Sequence, residues 1–369
     1  MTVTPVVPEV IDLTDGAAPA APTEPVAPSR WQAAARGTGR WLVALGGAVV
    51  IFGAFMLSKG VAPLDAYRSM FESLQGESSL TAILVKATPL VLAGLAVAVP
   101  AKAGLVNVGG EGQLLMGGIC AAGIAMAMGP ESPGGFALVM LLLAGAVGGA
   151  LWAGLAAVLK LVVGINEAVS TLLLNYVALN IMFFLIYDPW KDPDGSGQPA
   201  TAPLTVAQRL PLLGTSKVHG GIAIAVVAAA AVWWMLRSTR LGFQLRVVGG
   251  NGEAARRAGL PVAGLVIGAM VLGGALAGLG GAAHLAGTEF KLRSGFLATY
   301  GYIGFLASWL ARHDPPKVVL ASIALAAITI GGDSLQIDSG LPAATVNVLM
   351  ALVLLAVFGF GEKRKAVTA

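Results

Sequence analysis

Uninterrupted apolar segments of membrane-spanning length recur along this chain. Residues 80–101, 136–161 and 263–287 each match the ~20 apolar residues that a helix needs to cross a bilayer. Hydrophobic residues make up 56% of the 369 residues, and the mean hydropathy is +0.81. Soluble domains contain roughly 45–50% apolar residues. The pattern therefore predicts an all-α, polytopic integral membrane protein.

The apolar segments, separated by loops rich in Pro, Gly and charged residues, predict about ten transmembrane helices. Lys86, near the outer end of the second span, is expected to extend its ammonium group towards the membrane interface. The predicted spans are 41–57, 80–101, a third that ends at 128, 136–161, 167–187, 221–236, 263–287, about 295–312, 318–331 and 345–359.

The distribution of Lys and Arg predicts the orientation of the spans. Three arginines precede the first span, and residues 363–365 after the last span are all basic. Because basic residues are retained on the cytoplasmic side, both termini are predicted to be cytoplasmic. Residues 1–38 are rich in Pro and Ala and lack periodicity, which predicts a disordered cytoplasmic tail. Residues 39–362 then form the transmembrane domain, and 363–369 form a cytoplasmic C-terminal tail.

A glycine-rich, polar stretch interrupts the apolar pattern before the third span. The glycines between 109 and 112 disfavour a regular helix, while Asn107, Glu111 and Gln113 are polar within an apolar run. Broken helices with polar residues at membrane depth are tolerated where they line a cavity or are buried in protein. We expect these three residues to line a cavity. The alternative is a cytoplasmic turn that only begins the third span.

The fifth span carries polar side chains in its middle, among them Asn175, Tyr176 and Asn180. Amides and hydroxyls at this depth can bind a polyhydroxylated solute, and they can equally form hydrogen bonds to a neighbouring helix. The residues by themselves favour neither interpretation.

Glycine spacing predicts close helix packing at two places. G-x-x-x-G pairs at 145–149 and 274–278 permit neighbouring backbones to approach each other. The short Ala/Gly segments at 93–96 and 277–280 are also similar to each other, and each precedes a further pair of glycines. The two copies would cross the membrane in opposite directions. An inverted repeat is therefore a further hypothesis.

Five arginines lie within residues 237–262, between two apolar segments, which predicts a cytoplasmic loop. Residues 253–258 have the composition of a short helix, whose small side chains would let it lie in a partner's groove. The alternative is an ordinary basic connection. The residues predicted to carry the contact are Gly249, Asn251, Glu253, Ala254, Ala255, Arg256, Arg257, Ala258 and Gly259.

Three motifs of the chain resemble those of ABC importer permeases, in the branch that carries simple sugars and nucleosides. They are T-R-x-G-x-x-x-R-x-V-G-x-N-x-x-A-A-x-x-A-G-x-x-V at 239–262, N-x-G-x-E-G-Q at 107–113 and N-E-x-x-S-T-x-x-x-N-Y at 166–176. In that family the first motif is the coupling loop, which docks into the ATPase subunit. The resemblance extends from about residue 79 to 358.

The resemblance implies a transport subunit that is not itself an enzyme. Its partners would be an ABC ATPase subunit that binds ATP and Mg, a second and paralogous permease subunit, and an extracytoplasmic substrate-binding protein or lipoprotein. The location would be the plasma (inner) membrane of a bacterium, with the chain embedded in the lipid bilayer. The expected solute is a purine or pyrimidine nucleoside, and the alternative is a simple sugar such as ribose. The residues expected to line the path are Asn107, Glu111, Gln113, Asn175, Tyr176 and Asn180.

The residues also restrict the energy source. No G-x-x-x-x-G-K-[ST] motif occurs, so the chain is expected to bind no ATP of its own. An ion-coupled secondary carrier usually has intramembrane carboxylates, for which only Glu111 and Glu167 are candidates. The single cysteine excludes an intrachain disulfide, and the scattered histidines predict no metal site. The net charge of +4 is spread over loops, which argues against nucleic-acid binding.

Overall fold

The computed structural model describes residues 30–342 and 344–361, and these residues form helices and connecting loops. The chain divides into a first unit, 1–43, of which only the start of α1 is described, and a second unit, 44–369. The helices are α1 (Arg30–Ser58), α2 (Pro63–Glu72), α3 (Glu77–Lys102), α4 (Gly110–Met128), α5 (Gly134–Val158), α6 (Glu167–Tyr187), α7 (Gly221–Ser238), α8 (Arg240–Gly250), α9 (Gly252–Arg257), α10 (Val262–His284), α11 (Tyr300–Leu310), α12 (Pro315–Ser339) and α13 (Thr345–Gly361). Short π-helical turns, Leu159–Val163 and Leu285–Glu289, extend α5 and α10.

The all-α, polytopic prediction is confirmed, whereas the count of ten full spans is not. In the described part of the chain, 7 helices are long and apolar enough to cross a membrane, or up to 8 if the bent pair Leu45–Ser58 and Pro63–Glu72 is one span. The predicted first, eighth and tenth spans are not among these 7, and the first is included only as part of the bent pair. The eighth corresponds to α11, whose 11 residues measure only about 16 Å.

The centre of the fold is a contact between glycines of α4, α5 and α10. The two predicted G-x-x-x-G pairs meet each other, because a side chain on Gly278 would collide with the backbone of Gly145 and Gly149. Gly117 of α4 lies against the backbone of Gly278 in the same way. Without side chains between them, these three backbones pack directly on one another.

Two segments differ from their predictions. Residues 295–299, expected to belong to a helical eighth span, are not helical, and Leu297 and Thr299 have positive φ angles of 52° and 72°. The segment 58–79, expected to be an outer loop, contains α2, which packs against α12. In α2, Ser69 forms hydrogen bonds with Ser334 and Asp338 of α12. These long-range contacts explain why local composition did not indicate the helix.

The long loop between α6 and α7 packs on the connection between α10 and α11. Backbone hydrogen bonds join Thr201 to Leu292 and Leu204 to Phe290, at 3.0 and 2.7 Å. The guanidinium group of Arg209 lies 4.3 Å from the centre of the Phe290 ring. The prediction of a loop at 188–220 is confirmed, and the contacts hold the non-helical segment that leads to α11.

The predicted tails fall mostly outside the described residues. Residues 1–29 and 362–369 are not described, so the C-terminal tail at 363–369 stays a prediction. Helix α1 begins at Arg30, so the predicted tail boundary at residue 38 lies inside this helix.

Candidate functional site

The segment between α3 and α4 folds back along α3 and is held there by a pair of side-chain amides. Asn107 is fully buried, and its Nδ2 donates to Ala96 O and to Gln113 Oε1, both at 3.0 Å. Its Oδ1 accepts from the Gly109 backbone N–H and from Gln113 Nε2, at 3.0 and 2.9 Å. Both amides are therefore engaged within the protein, and they attach the start of α4 to α3.

One face of α6 supplies the hydrogen bonds that the non-helical segment 106–109 lacks. Glu167, Thr171 and Asn175 lie four residues apart, so they share that face. Glu167 Oε1 accepts from Val106 N at 3.2 Å, and Thr171 Oγ1 accepts from Val108 N at 3.2 Å. Lipid offers no partners for such backbone groups, so these side chains make the break between α3 and α4 possible.

Asn175 is the most connected residue of this face. Its Oδ1 accepts from Gly112 N at 2.8 Å, and its Nδ2 donates to Val108 O at 3.0 Å and to Tyr302 Oη at 3.3 Å. It thereby joins α6, α4 and α11. Two of the three motifs, 107–113 and 166–176, therefore meet at Asn175 beside α11.

Glu111 closes the junction between α4 and α11. Its Oε1 accepts from Thr299 N at 2.6 Å, and its Oε2 accepts from Gly301 N at 2.7 Å. A carboxylate at a helix N-terminus satisfies free backbone N–H groups and complements the helix dipole. The backbones of Gly301 and Glu111 are so close that a side chain on Gly301 would collide with Glu111. Two helix N-termini thus meet at one carboxylate.

The six residues predicted to line a path fall into two groups. Asn107, Gln113 and Asn175 are buried, and with Glu111 they hold the junction. Tyr176 and Asn180 instead lie on the exposed face of α6. The roles of Thr171 and Tyr302 were not predicted from the sequence. The one signal was the four-residue spacing of Thr171 from Glu167 and Asn175, and Tyr302 had none.

The cytoplasmic loop predicted at 237–262 forms two short helices, α8 and α9. Thr239 caps α8 by accepting from Gly242 N at 3.2 Å, and Asn251 caps α9 by accepting from Ala254 N at 2.9 Å. Gly259 ends the second helix with a φ of 80°, which glycine adopts without strain. The predicted short helix at 253–258 is therefore present.

Gly249, one of the residues predicted to carry the contact with a partner, packs against the chain itself. It lies inside α8, and a side chain there would collide with the carbonyl of Lys102. The missing side chain lets α8 pack on the turn after α3, against Gly104. The cytoplasmic loop and the segment that carries Asn107 are thus in direct contact.

Helix α9 presents most of its residues to solvent. Glu253 pairs with Arg256 and Arg257, each at 3.3 Å, and these exposed ion pairs contribute little stability. Ala255, by contrast, is fully buried against the rest of the chain and is not available to a partner. The free face of the helix consists of Glu253, Ala254, Arg256, Arg257 and Ala258.

His313 lies in the turn between α11 and α12. Its Nδ1 is 3.0 Å from Ser308 Oγ, and its ring packs against Trp309. Burial, together with the positive charge of Lys102, lowers the pKa of His313 to about 4. The ring is therefore neutral at pH 7.

The part of the chain that contains the broken helix pair and the two-helix loop matches a known family of transporters. The family described as branched-chain amino acid transport system / permease component matches residues 79–358. The chain belongs to this permease family. Three curated relatives are similar in sequence over most of their length.

The glucose ABC transporter permease protein TsgB13 of Haloferax volcanii is 38% identical, over 84% of this chain and 83% of its own. The guanosine ABC transporter permease protein NupP of Bacillus subtilis is 31% identical, over 81% and 87%. The nucleoside ABC transporter permease protein NupB of Lactococcus lactis is 29% identical, over 81% and 84%.

These matches establish several properties of the chain. It is a multi-pass membrane permease of the simple-sugar and nucleoside branch of ABC importers. Such permeases are not enzymes, because a separate ATPase hydrolyses ATP. Permeases of this family work with that ATPase and with a substrate-binding protein.

Proposed function

We propose that this permease carries nucleosides along a path bordered by the exposed face of α6. The observation that supports this is the pair Tyr176 and Asn180, one turn apart in the middle of the helix and both exposed. Asn180 Nδ2 donates to Tyr176 O at 2.8 Å, which leaves its carbonyl oxygen open. An aromatic ring can stack on a nucleobase, and an amide can bind a sugar hydroxyl.

Helix α5 supports this interpretation by contrast. The large exposed side chains of α5 are all hydrocarbon, which suits contact with lipid. They include Phe136, Val139, Leu143, Val147, Leu151 and Leu155. An amide in the same position would be costly in hydrocarbon. The α6 face therefore borders a path and a second permease subunit, proposed to be a paralogue of this chain.

A simple sugar is the second candidate solute. The 38% identity to a relative named as a glucose permease favours a sugar. The two other relatives are named as guanosine and nucleoside permeases, which favours a nucleoside. The ring of Tyr176 supports the nucleoside, because a base offers a flat π surface that a sugar lacks.

Competition and mutation test the solute together. In uptake assays, uridine, adenosine and guanosine should compete with the transported solute. The change Tyr176→Leu should reduce nucleoside uptake about tenfold, since stacking of a base on an aromatic ring is worth roughly 1–3 kcal/mol. Trp234→Leu on α7 is the matched control, because Trp234 and Tyr176 are 60% and 59% exposed.

Uptake in the control variant should stay normal. If glucose or ribose competes and nucleosides do not, the nucleoside proposal is wrong. If nucleosides compete but Tyr176→Leu transports normally, the proposed solute is retained. The proposal that the α6 face borders the path is then wrong.

The partners are proposed to lie on opposite sides of the membrane. The ATPase, which holds ATP and Mg, docks on the free face of α9, and the substrate-binding protein contacts the loop between α6 and α7. Both termini are cytoplasmic, in the inner membrane of a bacterium. The five arginines at 237–257 support this orientation.

Site-directed labelling tests the orientation. In a variant with Cys120 replaced by Ser, the change Asp194→Cys should react with an impermeant maleimide in intact cells. The change Asn251→Cys should react only after the membrane is opened. Labelling of both sites from the same side would overturn the proposed orientation.

A further inference from the structure

A cavity of about 270 Å³, with a mainly apolar wall and several polar side chains, lies between α3, α11, α12 and α13. Its apolar wall includes Leu90, Ile303 and Met350. Its polar lining consists of Lys86, Thr299, Tyr300, Thr329, Asp333 and Asn347. This cavity is distinct from the α6 face described above.

An ion pair lies in the wall of this cavity. Lys86 Nζ donates to Asp333 Oδ2 at 2.6 Å and so joins α3 to α12. The predicted extension of Lys86 towards the interface stays a prediction, and the contact joins its ammonium group to a neighbouring helix. Both residues belong to membrane-length helices, 78–102 and 315–339. Charged groups within such helices are costly and usually serve a function.

The ion pair keeps hydrogen-bonding capacity towards the cavity. The contact uses one of the three donors of the ammonium group and one of the two carboxylate oxygens. The side chain of Asp333 is 56% exposed and that of Lys86 is 24% exposed, so both are accessible from the cavity. Asn347 is exposed in the same wall and adds an amide.

We propose that this cavity binds the vicinal hydroxyl groups of a sugar ring, the chemistry that nucleosides share with free sugars. The inference rests on the proposed function and names the part of the solute that is recognised. The carboxylate accepts hydrogen bonds from adjacent hydroxyls, and the ammonium group and the Asn347 amide donate to ring and hydroxyl oxygens. Because the paired charges cancel, the site suits a neutral solute and disfavours an ion.

The cavity also adjoins the junction of α4 and α11. Thr299 and Tyr300 line it, and Glu111 accepts a hydrogen bond from the backbone of Thr299. A solute in the cavity therefore contacts the first residues of α11. This places the sugar site next to the two helix N-termini that meet at Glu111.

The ratio of guanosine to 2′-deoxyguanosine uptake tests the site. The full importer is reconstituted in liposomes, and rates are measured with saturating, loaded binding protein so that they report on the permease. The wild type should transport guanosine faster. The change Asp333→Asn should reduce guanosine transport roughly tenfold or more, as for loss of a hydrogen bond to a charged group, and bring the ratio close to one.

Asp338→Asn is the matched control, because Asp338 lies on the same helix but bonds Ser69 outside the cavity. It should keep the wild-type ratio. If Asp333→Asn does not assemble with the ATPase, Asn347→Ala replaces it, and it too should lower the ratio. An unchanged ratio in an assembled cavity variant overturns the site while leaving the nucleoside proposal intact.

The failure of the proposed function gives a different result. If the wild-type complex imports glucose and no nucleoside, the proposed solute is wrong. The ratio of glucose to 2-deoxyglucose uptake, compared between the wild type and Asp333→Asn, then decides whether the cavity binds a sugar hydroxyl.

Discussion

Replacing Gly278 with leucine is expected to prevent the permease from accumulating in a folded form. A side chain at this position would collide with the backbone of Gly145 and Gly149 on α5. Backbone cannot move aside as a flexible side chain can, so the cost should reach or exceed the roughly 1–3 kcal/mol typical of overpacking. Destabilisation of this size lowers cellular abundance about several-fold.

Gly268→Leu is the matched control for this change, because Gly268 lies on the same helix and a β-carbon there would have no atom of the packed neighbours within 4 Å. Membrane-fraction immunoblots and the elution profile of the purified protein would report both variants. Normal amounts of a monodisperse Gly278→Leu permease would contradict the direct packing of α10 on α5.

Replacing Ala258 with tryptophan is expected to stop transport while the permease remains folded. Ala258 and Ala254 share the exposed face of α9 that is proposed to lie in the ATPase, next to Arg256 and Arg257. A large ring on that face should wedge the contact apart, at a cost of roughly 1–3 kcal/mol. Uptake should be lost, and the ATPase should either dissociate or hydrolyse ATP without a response to loaded binding protein.

Two further substitutions separate docking from folding. Ala255→Trp changes the buried side of the same helix and should lower the amount of folded permease itself. Ala230→Trp adds the same ring at an exposed position of α7 and should transport normally. Normal uptake by Ala258→Trp at normal expression would mean that α9 is a plain connector.

The apolar pattern predicted most of the helices, because every helix that crosses the lipid needs an apolar stretch of about 20 residues. The prediction for 167–187 coincides with α6 at both ends, and Asn166, which accepts from Ala168 N, is the local reason why the helix starts there. The prediction failed for α11, where a helix of membrane length was expected and Thr299 begins a short one. That start depends on Glu111, which is 188 residues away in the chain.

The polar motifs were recognised as unusual, but their roles could not be derived from the residues alone. Asn107 was expected to line a cavity, and for Asn175 the residues left open a solute or a neighbouring helix. Both are buried in hydrogen bonds that hold non-helical backbone. A side-chain amide uses the same atoms to bind a solute and to bind a backbone carbonyl. The residue type alone therefore cannot show which of the two it binds. Their contact with a solute stays a prediction, and so does the contact of the exposed Tyr176 and Asn180.

By itself, the sequence determined that this chain is a helical membrane permease and predicted the short helix of the loop at 237–262, because hydrophobic length, Gly spacing and Arg clustering act locally. The tertiary structure alone decided which glycine pairs meet and that Glu111 joins two helix N-termini. It also decided that Lys86 is paired with Asp333, 247 residues away. These contacts depend on how helices are arranged around one another, and a backbone group or a charge in the membrane is satisfied by whichever neighbour the packing brings within reach.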